Sequence, residues 1–586
     1  ILIFFGQRPA FELLIGGLNP TFLRGTLESR AIPRVVGLVL LFSLALALSW
    51  RRAARAGRAW WSLRRLALTG VSALALLLLP VPVHRRGTAR NPLISIVQLA
   101  VRRSRVGFSG PPAVPMPLLD PASVRELGPS RSPGAYFDER FPLAHLPEPP
   151  SALGASLPAG VRPNFVFLVL EGVRAEDVGA YGGAPDGLTP NIDRLARSGI
   201  VVEEAYSPGT STPDAELALW YGVLPNPLFS LMTRSPSVPL SGLPEILRSA
   251  GWRSFLWIHN GDQTFFRRDR FYLPRRFQMV DGRDFPASDV RTSWGYSDRA
   301  LARRAVKALD RAREPFAALV LTVSNHHPFR LPDDARSPFP DLSRPERGFL
   351  PFVGEGARLQ TASMLRTVHY TDEAVGDFFR MGQTRPWFSR TVFIVLGDHG
   401  LSIAPYQRQV RTIAAVTDLR HRVPMIFFSP MLKPGRISGP ASQADVPETL
   451  LSLARIPFVR SGVGRDLFDP GQLDADRRVV TWRSEGNLVT VRGARRTYQA
   501  VGRGVLSRVR PIRLEEETFF DPRADPQGER NLMDRESAEA TAYRRLARVY
   551  LEVYPWVVVS GRSGVPEATA PAAAAGPGPP AAATPR

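Results

Sequence analysis

Residues 164–172 read NFVFLVLEG, and this stretch decides how the rest of the chain is read. Six apolar residues follow one another without polar alternation and stop at Glu171. An unbroken apolar run of this length predicts a strand buried on both faces, the habit of parallel sheets. Three further runs repeat the pattern: SFLWI leads into His259, FAALVLTVSN into His326, and TVFIVLG into Asp398 and His399. Helix-like stretches at 191–198, 243–250 and 298–311 fall between them. Alternating strands and helices predict an α/β fold, a mostly parallel sheet flanked by helices. In such sheets the ligand crevice lies beyond the carboxyl ends of the strands, where these polar residues fall. The chain has only eight His, and three of them sit at these ends.

Composition narrows the chemistry. The 586 residues contain no Cys, which excludes a disulfide framework, a thiol nucleophile and Cys-ligated metal. The net charge of +22 is almost all Arg, since Lys307 and Lys433 are the two lysines. Without a basic-aromatic array or an RNA motif, this charge points to anionic lipid or phosphate and not to nucleic acid.

The N-terminal part reads as membrane anchor. The first residue is Ile, so the expectation is a chain that lacks its upstream part. Residues 35–50 and 66–83 are apolar runs close to the ~20 residues needed to cross a bilayer as helix. The loop between them carries six Arg and no acid, which places it in the cytoplasm and everything after residue 83 outside. The expected division is therefore 1–83 transmembrane helices, 84–160 a Pro- and Arg-rich juxtamembrane linker, and 161–480 a catalytic domain. A small C-terminal subdomain at 481–562 and a disordered Pro/Ala/Gly tail at 563–586 complete it.

The candidate nucleophile lies in SPGTSTPDAEL, residues 207–217. Ser211 and Thr212 precede Pro213, which suits the first turn of a helix, and Ser211 with Asp214 matches a capping box. Two readings stand here: a helix cap alone, or a hydroxyl placed where helix N–H groups favour a phosphoryl anion.

NFVFLVLEG, LTPNIDRLARSGI, GDHG and ASQADVPETLLSLARI together resemble the sulfatase and alkaline phosphatase superfamily, and 519–534 resembles its C-terminal segment. Within it the chain is most similar to the lipoteichoic acid synthase branch of membrane-anchored phosphoglycerol transferases. STPDAEL, IHNGDQTFFRRDRFY, WGYSD, LTVSNHHPF and YTDEAVGDFF carry that likeness. The resemblance implies that Glu171, Thr212, Asp398 and His399 bind one divalent metal, with Thr212 also the nucleophile. It implies that His259, Phe266, Arg268 and His326 line the substrate pocket, with Phe266 standing where the family usually has Trp. His421 stays open between a structural role and a place beside the metal. The sequence has STPDA where formylglycine sulfatases need a C/S-x-P-S-R motif, so active sulfatase is disfavoured.

The function expected from this resemblance is transfer of phosphoglycerol from phosphatidylglycerol, or another phospholipid headgroup donor, to an envelope polymer or glycolipid. The enzyme would sit in the cytoplasmic membrane with its catalytic domain extracellular or periplasmic. Mn²⁺ is the expected cofactor, with Mg²⁺ and Zn²⁺ also suited to carboxylate, hydroxyl and His donors. The alternatives are a phosphoethanolamine transferase and a phosphoester hydrolase of the same superfamily.

Overall fold

The computed structural model describes residues 160–336, 356–403, 410–457, 459–469, 477–503, 512–533 and 537–564, with short pieces between 114 and 158. The apolar runs at 35–50 and 66–83, most of the 84–160 linker and nearly all of the 563–586 tail lie outside the described residues. Among the described residues no helix is long and apolar enough to cross a membrane.

Eight strands form the main sheet: β1 (Asn164–Leu170), β2 (Ile200–Tyr206), β3 (Ser254–His259), β4 (Gln278–Val280), β5 (Phe316–Leu321), β6 (Thr391–Gly397), β7 (Met425–Phe428) and β8 (Gly435–Ser442). Their order is β4-β3-β5-β1-β6-β7-β2-β8. Every neighbouring pair is parallel except the two that involve β7, which runs against both β6 and β2. The four runs expected as strands are β1, β3, β5 and β6, adjacent in the centre of the sheet. Their register pairs Phe165 with Ala317 on one side and Val392 on the other.

Alternate side chains of these strands feed two cores, which is why the runs carry no polar alternation. Phe165, Phe167, Val169, Val392, Ile394 and Leu396 enter one core. Val166, Leu168, Leu170, Phe393 and Val395 enter the other. Each such residue, fully buried, contributes about 1.5–3 kcal/mol.

The second core is closed by α1 (Pro190–Ser198), α5 (Asp298–Leu309) and α6 (Gly356–Gly382). Helix α1 shows how a local signal and a distant residue combine. Pro190 opens it, and its free N–H groups at Asn191 and Ile192 donate to the Asp372 carboxylate of α6 at 3.1 and 2.7 Å.

The first core is covered by α2 (Thr212–Tyr221), α3 (Leu243–Ser249), α8 (Val446–Leu453) and α9 (Ser537–Glu552). It continues without a break into a second sheet, antiparallel, of β9 (Arg478–Arg483), β10 (Leu488–Gly493), β11 (Thr497–Arg503) and β12 (Arg513–Phe520). Val480, Trp482, Val489 and Val491 share that core with Leu219 and Trp220 of α2. The remaining helices used below are α4 (Arg268–Tyr272), α7 (Ile413–His421) and α10 (Tyr554–Val559).

Candidate active site

The carboxyl ends of β1 and β6 bring Glu171, Asp398 and His399 together, each buried, with one ligand atom from each within 4.8 Å of the others. Three bonds fix the two acids. The Glu171 N–H donates to Thr322 Oγ1 (2.9 Å), and the N–H groups of Gly172 and His399 donate to Asp398 Oδ1 (2.8 and 2.7 Å). Gly172 has φ +65, a backbone state that costs glycine little, and this turns the chain sharply after Glu171. Behind them, Asn325 Nδ2 donates to the Glu171 carbonyl (3.1 Å) and Gln443 Nε2 donates to the carbonyls of Gly397 and Asp398 (2.7 and 2.9 Å).

The electrostatics of this cluster are unfavourable as they stand. Burial, together with the adjacent Asp398 charge, pushes the Glu171 carboxyl well above its usual range. Asp398 Oδ2 is buried with no hydrogen-bond partner. His399 Nδ1 faces the Gly400 carbonyl at 3.1 Å, which assigns the proton to Nδ1 and leaves the Nε2 lone pair 3.4 Å from Asp398 Oδ2 and 3.9 Å from Glu171 Oε1. Two carboxylates and an imidazole lone pair facing one another are a donor set for a divalent cation, and the residues fit one.

Thr212 reaches the same place from a different element. Its Oγ1 donates to Glu171 Oε2 at 3.2 Å from the first position of α2, a helix whose ten residues are all buried. Ser211 is the N-cap residue, but its hydroxyl donates to Asp214 Oδ2 (2.7 Å) and makes no bond to the helix N–H groups. The Ser211 side chain thus does not make the capping bond that the motif suggests. The loop before it is tied down by His421, whose Nδ1 meets the Ser207 carbonyl at 2.8 Å and whose own carbonyl accepts from Ser207 N at 2.7 Å.

His421 is fully buried with Nε2 unpartnered, and burial with the nearby Arg492 drives its basicity well below that of free imidazole. It stands outside the cluster of Glu171, Asp398 and His399, and its bonds go to the loop before α2. The reversed direction of β7 explains its position. A strand that starts at the ligand-bearing edge puts the residues just before it, His421 and Arg422, on that edge.

The pocket residues expected from the sequence line an adjoining wall. His259 Nδ1 meets the Leu321 carbonyl at 2.9 Å, and burial with the neighbouring Arg268 charge lowers its pKa to about 3, so the ring is neutral. A Cβ on Gly261 would lie 2.5 Å from His259 Nε2, so this ring requires glycine two residues on. His326 is half-buried, with its ring centroid 4.1 Å from that of Trp294, and burial lowers its pKa to about 4. Phe266 and Arg267 both have positive φ, and this turn aims Arg268 at the opening of α4. Phe266 lies over the Arg268 guanidinium at 5.4 Å. Arg268 acts electrostatically on both Glu171 and His259, which puts the wall and the acid cluster in one field.

Sequence reasoning missed Glu216. It is wholly buried one turn after Thr212 and takes Arg268 Nε and Nη2 on Oε1, both at 2.7 Å. Its Oε2 accepts from Trp257 Nε1 (3.0 Å) and the Tyr272 hydroxyl (2.7 Å). The i, i+4 spacing within STPDAEL was the available signal. Gln443, Asn325 and Trp294 were also unassigned, although each lies inside a stretch that carried the resemblance.

A sulfatase family profile matches residues 163–456, from the start of β1 to the end of α8. Lipoteichoic acid synthase 1 of Bacillus subtilis is 26% identical over 318 residues, which covers 52% of this chain and 47% of that protein. Phosphoglycerol transferase I of Salmonella typhi is 25% identical over 231 residues, covering 36% of this chain and 28% of that protein. The chain therefore spans less than half the length of either relative. The crystal structure of the lipoteichoic acid synthase LtaP from Listeria monocytogenes superimposes with a TM-score of 0.52 at 18% identity, over 69% of this chain and 94% of that one. With the matched profile covering half of its residues, and with a buried acid cluster at the sheet edge that the profile spans, the chain belongs to the sulfatase family.

Proposed function

We propose that the protein is a membrane-anchored, metal-dependent transferase that moves phosphoglycerol from phosphatidylglycerol to an envelope acceptor through a phosphothreonine ester. The observation that carries this reading is the meeting of Thr212 Oγ1 with Glu171 Oε2 at the edge of the acid cluster. A hydroxyl there is already oriented by an acceptor, and it sits at the N-terminal end of a buried helix. The similarity to a lipoteichoic acid synthase and a phosphoglycerol transferase supports the choice of headgroup.

Glu171, Asp398, His399 and Thr212 would hold the metal. When bound, a divalent ion supplies Lewis-acid polarisation of the phosphate and favours the ionised hydroxyl. Thr212 Oγ then attacks phosphorus in line, the bond to the diacylglycerol oxygen breaks, and the Thr212 proton leaves with that oxygen. An acceptor hydroxyl repeats the displacement on the ester and restores Thr212. Arg268 donates to the equatorial oxygens, where preorganised donors carry most of the catalytic effect. Neutral His259 and His326, whose Nδ1 protons face the Leu321 and His327 carbonyls, present Nε2 as an acceptor to the hydroxyls of the headgroup. Anchoring in the bilayer would keep the site at the level of the headgroups and raise their effective concentration.

Intact mass of the protein after incubation with phosphatidylglycerol and Mn²⁺ tests the proposal. A phosphoglycerol adduct mapping to Thr212 is the expected result. No adduct, from phosphatidylglycerol or from phosphatidylethanolamine, in metal-loaded protein would refute covalent headgroup transfer. An adduct from phosphatidylethanolamine alone would move the reading to the phosphoethanolamine transferases.

A further inference from the structure

On the wall read as the phosphate pocket, the charge of the Arg268 guanidinium is already answered inside the protein. Glu216 is completely buried and Arg268 nearly so, with Nε and Nη2 both 2.7 Å from Glu216 Oε1. The other carboxylate oxygen is closed by Trp257 Nε1 and the Tyr272 hydroxyl. Tyr272 stays a donor, because burial and the Glu216 charge push its ionisation far up. Hydrogen bonds from Arg268 Nε, Trp257 Nε1 and the Tyr272 hydroxyl, with Nη2 of Arg268 in ion-pair contact, thus tie α2 through this carboxylate to β3 and α4. What remains on Arg268 is Nη1, with a 3.4 Å bond to the Phe265 carbonyl, and the second hydrogen of Nη2. The guanidinium therefore offers directed hydrogens with its net charge cancelled in a water-poor setting. The metal this site would hold answers a monoanionic ligand, whereas a dianion would also call on the Arg268 charge that Glu216 already cancels.

We propose that Glu216 sets the charge selectivity of the site: by neutralising Arg268 while leaving Nη1 for the ligand, it favours phosphodiester monoanions over phosphomonoester dianions. Glu216 is a positioning residue, acting through Arg268 on the ligand. The inference rests on the reading of this wall as the phosphate pocket. It adds the class of phosphate admitted and the residue that decides it.

The test compares binding of glycerophosphoglycerol, a diester, with that of glycerol phosphate, a dianion at about pH 8. Calorimetric titration of both ligands into metal-loaded protein gives the ratio of the two affinities. Glu216→Gln frees the Arg268 charge and is expected to shift that ratio toward the dianion on the order of tenfold, whatever happens to absolute affinity. Equal weakening of both ligands would show Glu216 to be a packing residue and overturn the proposal. Failure of both proteins to bind either ligand would overturn it too.

The double variant Glu216→Gln/Arg268→Gln leaves no buried charge and guards against misfolding of the single variant. Its ratio should stay within about twofold of the parent's, because the net charge is unchanged. A shift toward the dianion there would refute the charge argument. Adduct formation on Thr212 from phosphatidylglycerol is followed in the same samples. An adduct with an unshifted ratio in Glu216→Gln sinks the selectivity inference alone. A shifted ratio without any adduct sinks the transfer reading alone.

Discussion

Two acid-bearing regions meet in this site, and they are built in opposite ways. At the ends of β1 and β6, Glu171 and Asp398 are like charges buried side by side, with one oxygen lacking any partner. Some way along the wall, Glu216 is equally buried but has an arginine, an indole N–H and a tyrosine hydroxyl to itself. The first arrangement is incomplete without a cation and should respond to one. The second is complete as it stands and should respond only to damage. Together they separate the part of the site that awaits a cofactor from the part that is prepared during folding.

The strongest challenge to this contrast is removal of the hydroxyl that borders the first region. Thr212→Ala should reduce headgroup transfer by about four orders of magnitude, the scale of losing a nucleophile, with metal content unchanged. Residual transfer near the parent rate in a coupled lipid assay would remove Thr212 from the reaction. Next in size is Arg268→Met, which strands the Glu216 carboxylate. We expect a loss of about 3–5 kcal/mol in urea unfolding, the penalty of an uncompensated buried charge. A loss below about 1 kcal/mol would mean that water reaches Glu216 and that the second region is not sealed.

The cation response comes third. Adding Mn²⁺ at about a hundredfold over its dissociation constant should stabilise the chelator-treated protein by about 2.7 kcal/mol. Asp398→Asn should abolish most of that gain in differential scanning calorimetry while easing the repulsion in metal-free protein. An undiminished gain would place the ion elsewhere. The smallest effect belongs to Phe266→Leu, which removes the ring lying over Arg268. A contact of that kind is worth about 0.5–1 kcal/mol, so the Michaelis constant should rise about two- to fivefold with little change in turnover.

The first region was legible in the sequence and the second was not, for a physical reason. Glu171, Asp398 and His399 directly follow apolar runs, so the strand ends announce them, and β1, β3, β5 and β6 lie where those runs predict. The helices at 190–198, 243–249 and 298–309 also match the expected stretches to within two residues at either end. Glu216 follows no such run. In STPDAEL it looks like a polar residue on a helix, and its partners Trp257, Arg268 and Tyr272 are 41 to 56 positions away. The same holds for Gln443, which supports Asp398 through backbone carbonyls that no spacing reveals. The reversal of β7 was likewise hidden, because a four-residue apolar run carries no mark of direction. Ser211 shows the converse. Its motif promised a cap, yet the neighbouring Asp214 carboxylate takes the hydroxyl proton.

The core shared by the two sheets has a consequence for how the protein can be divided. Trp482 N donates to the Pro208 carbonyl at 2.8 Å, and Tyr550 and Tyr554 bond to the backbone just past α2. Helix α2 is therefore roofed by chain that lies more than 260 positions later. Cutting before Arg478 would not release a smaller enzyme. It would strip the cover from Trp220 and its neighbours and leave a sticky remnant, so the part of the chain from Arg478 onward is a folding requirement and no appendage to be traded between relatives.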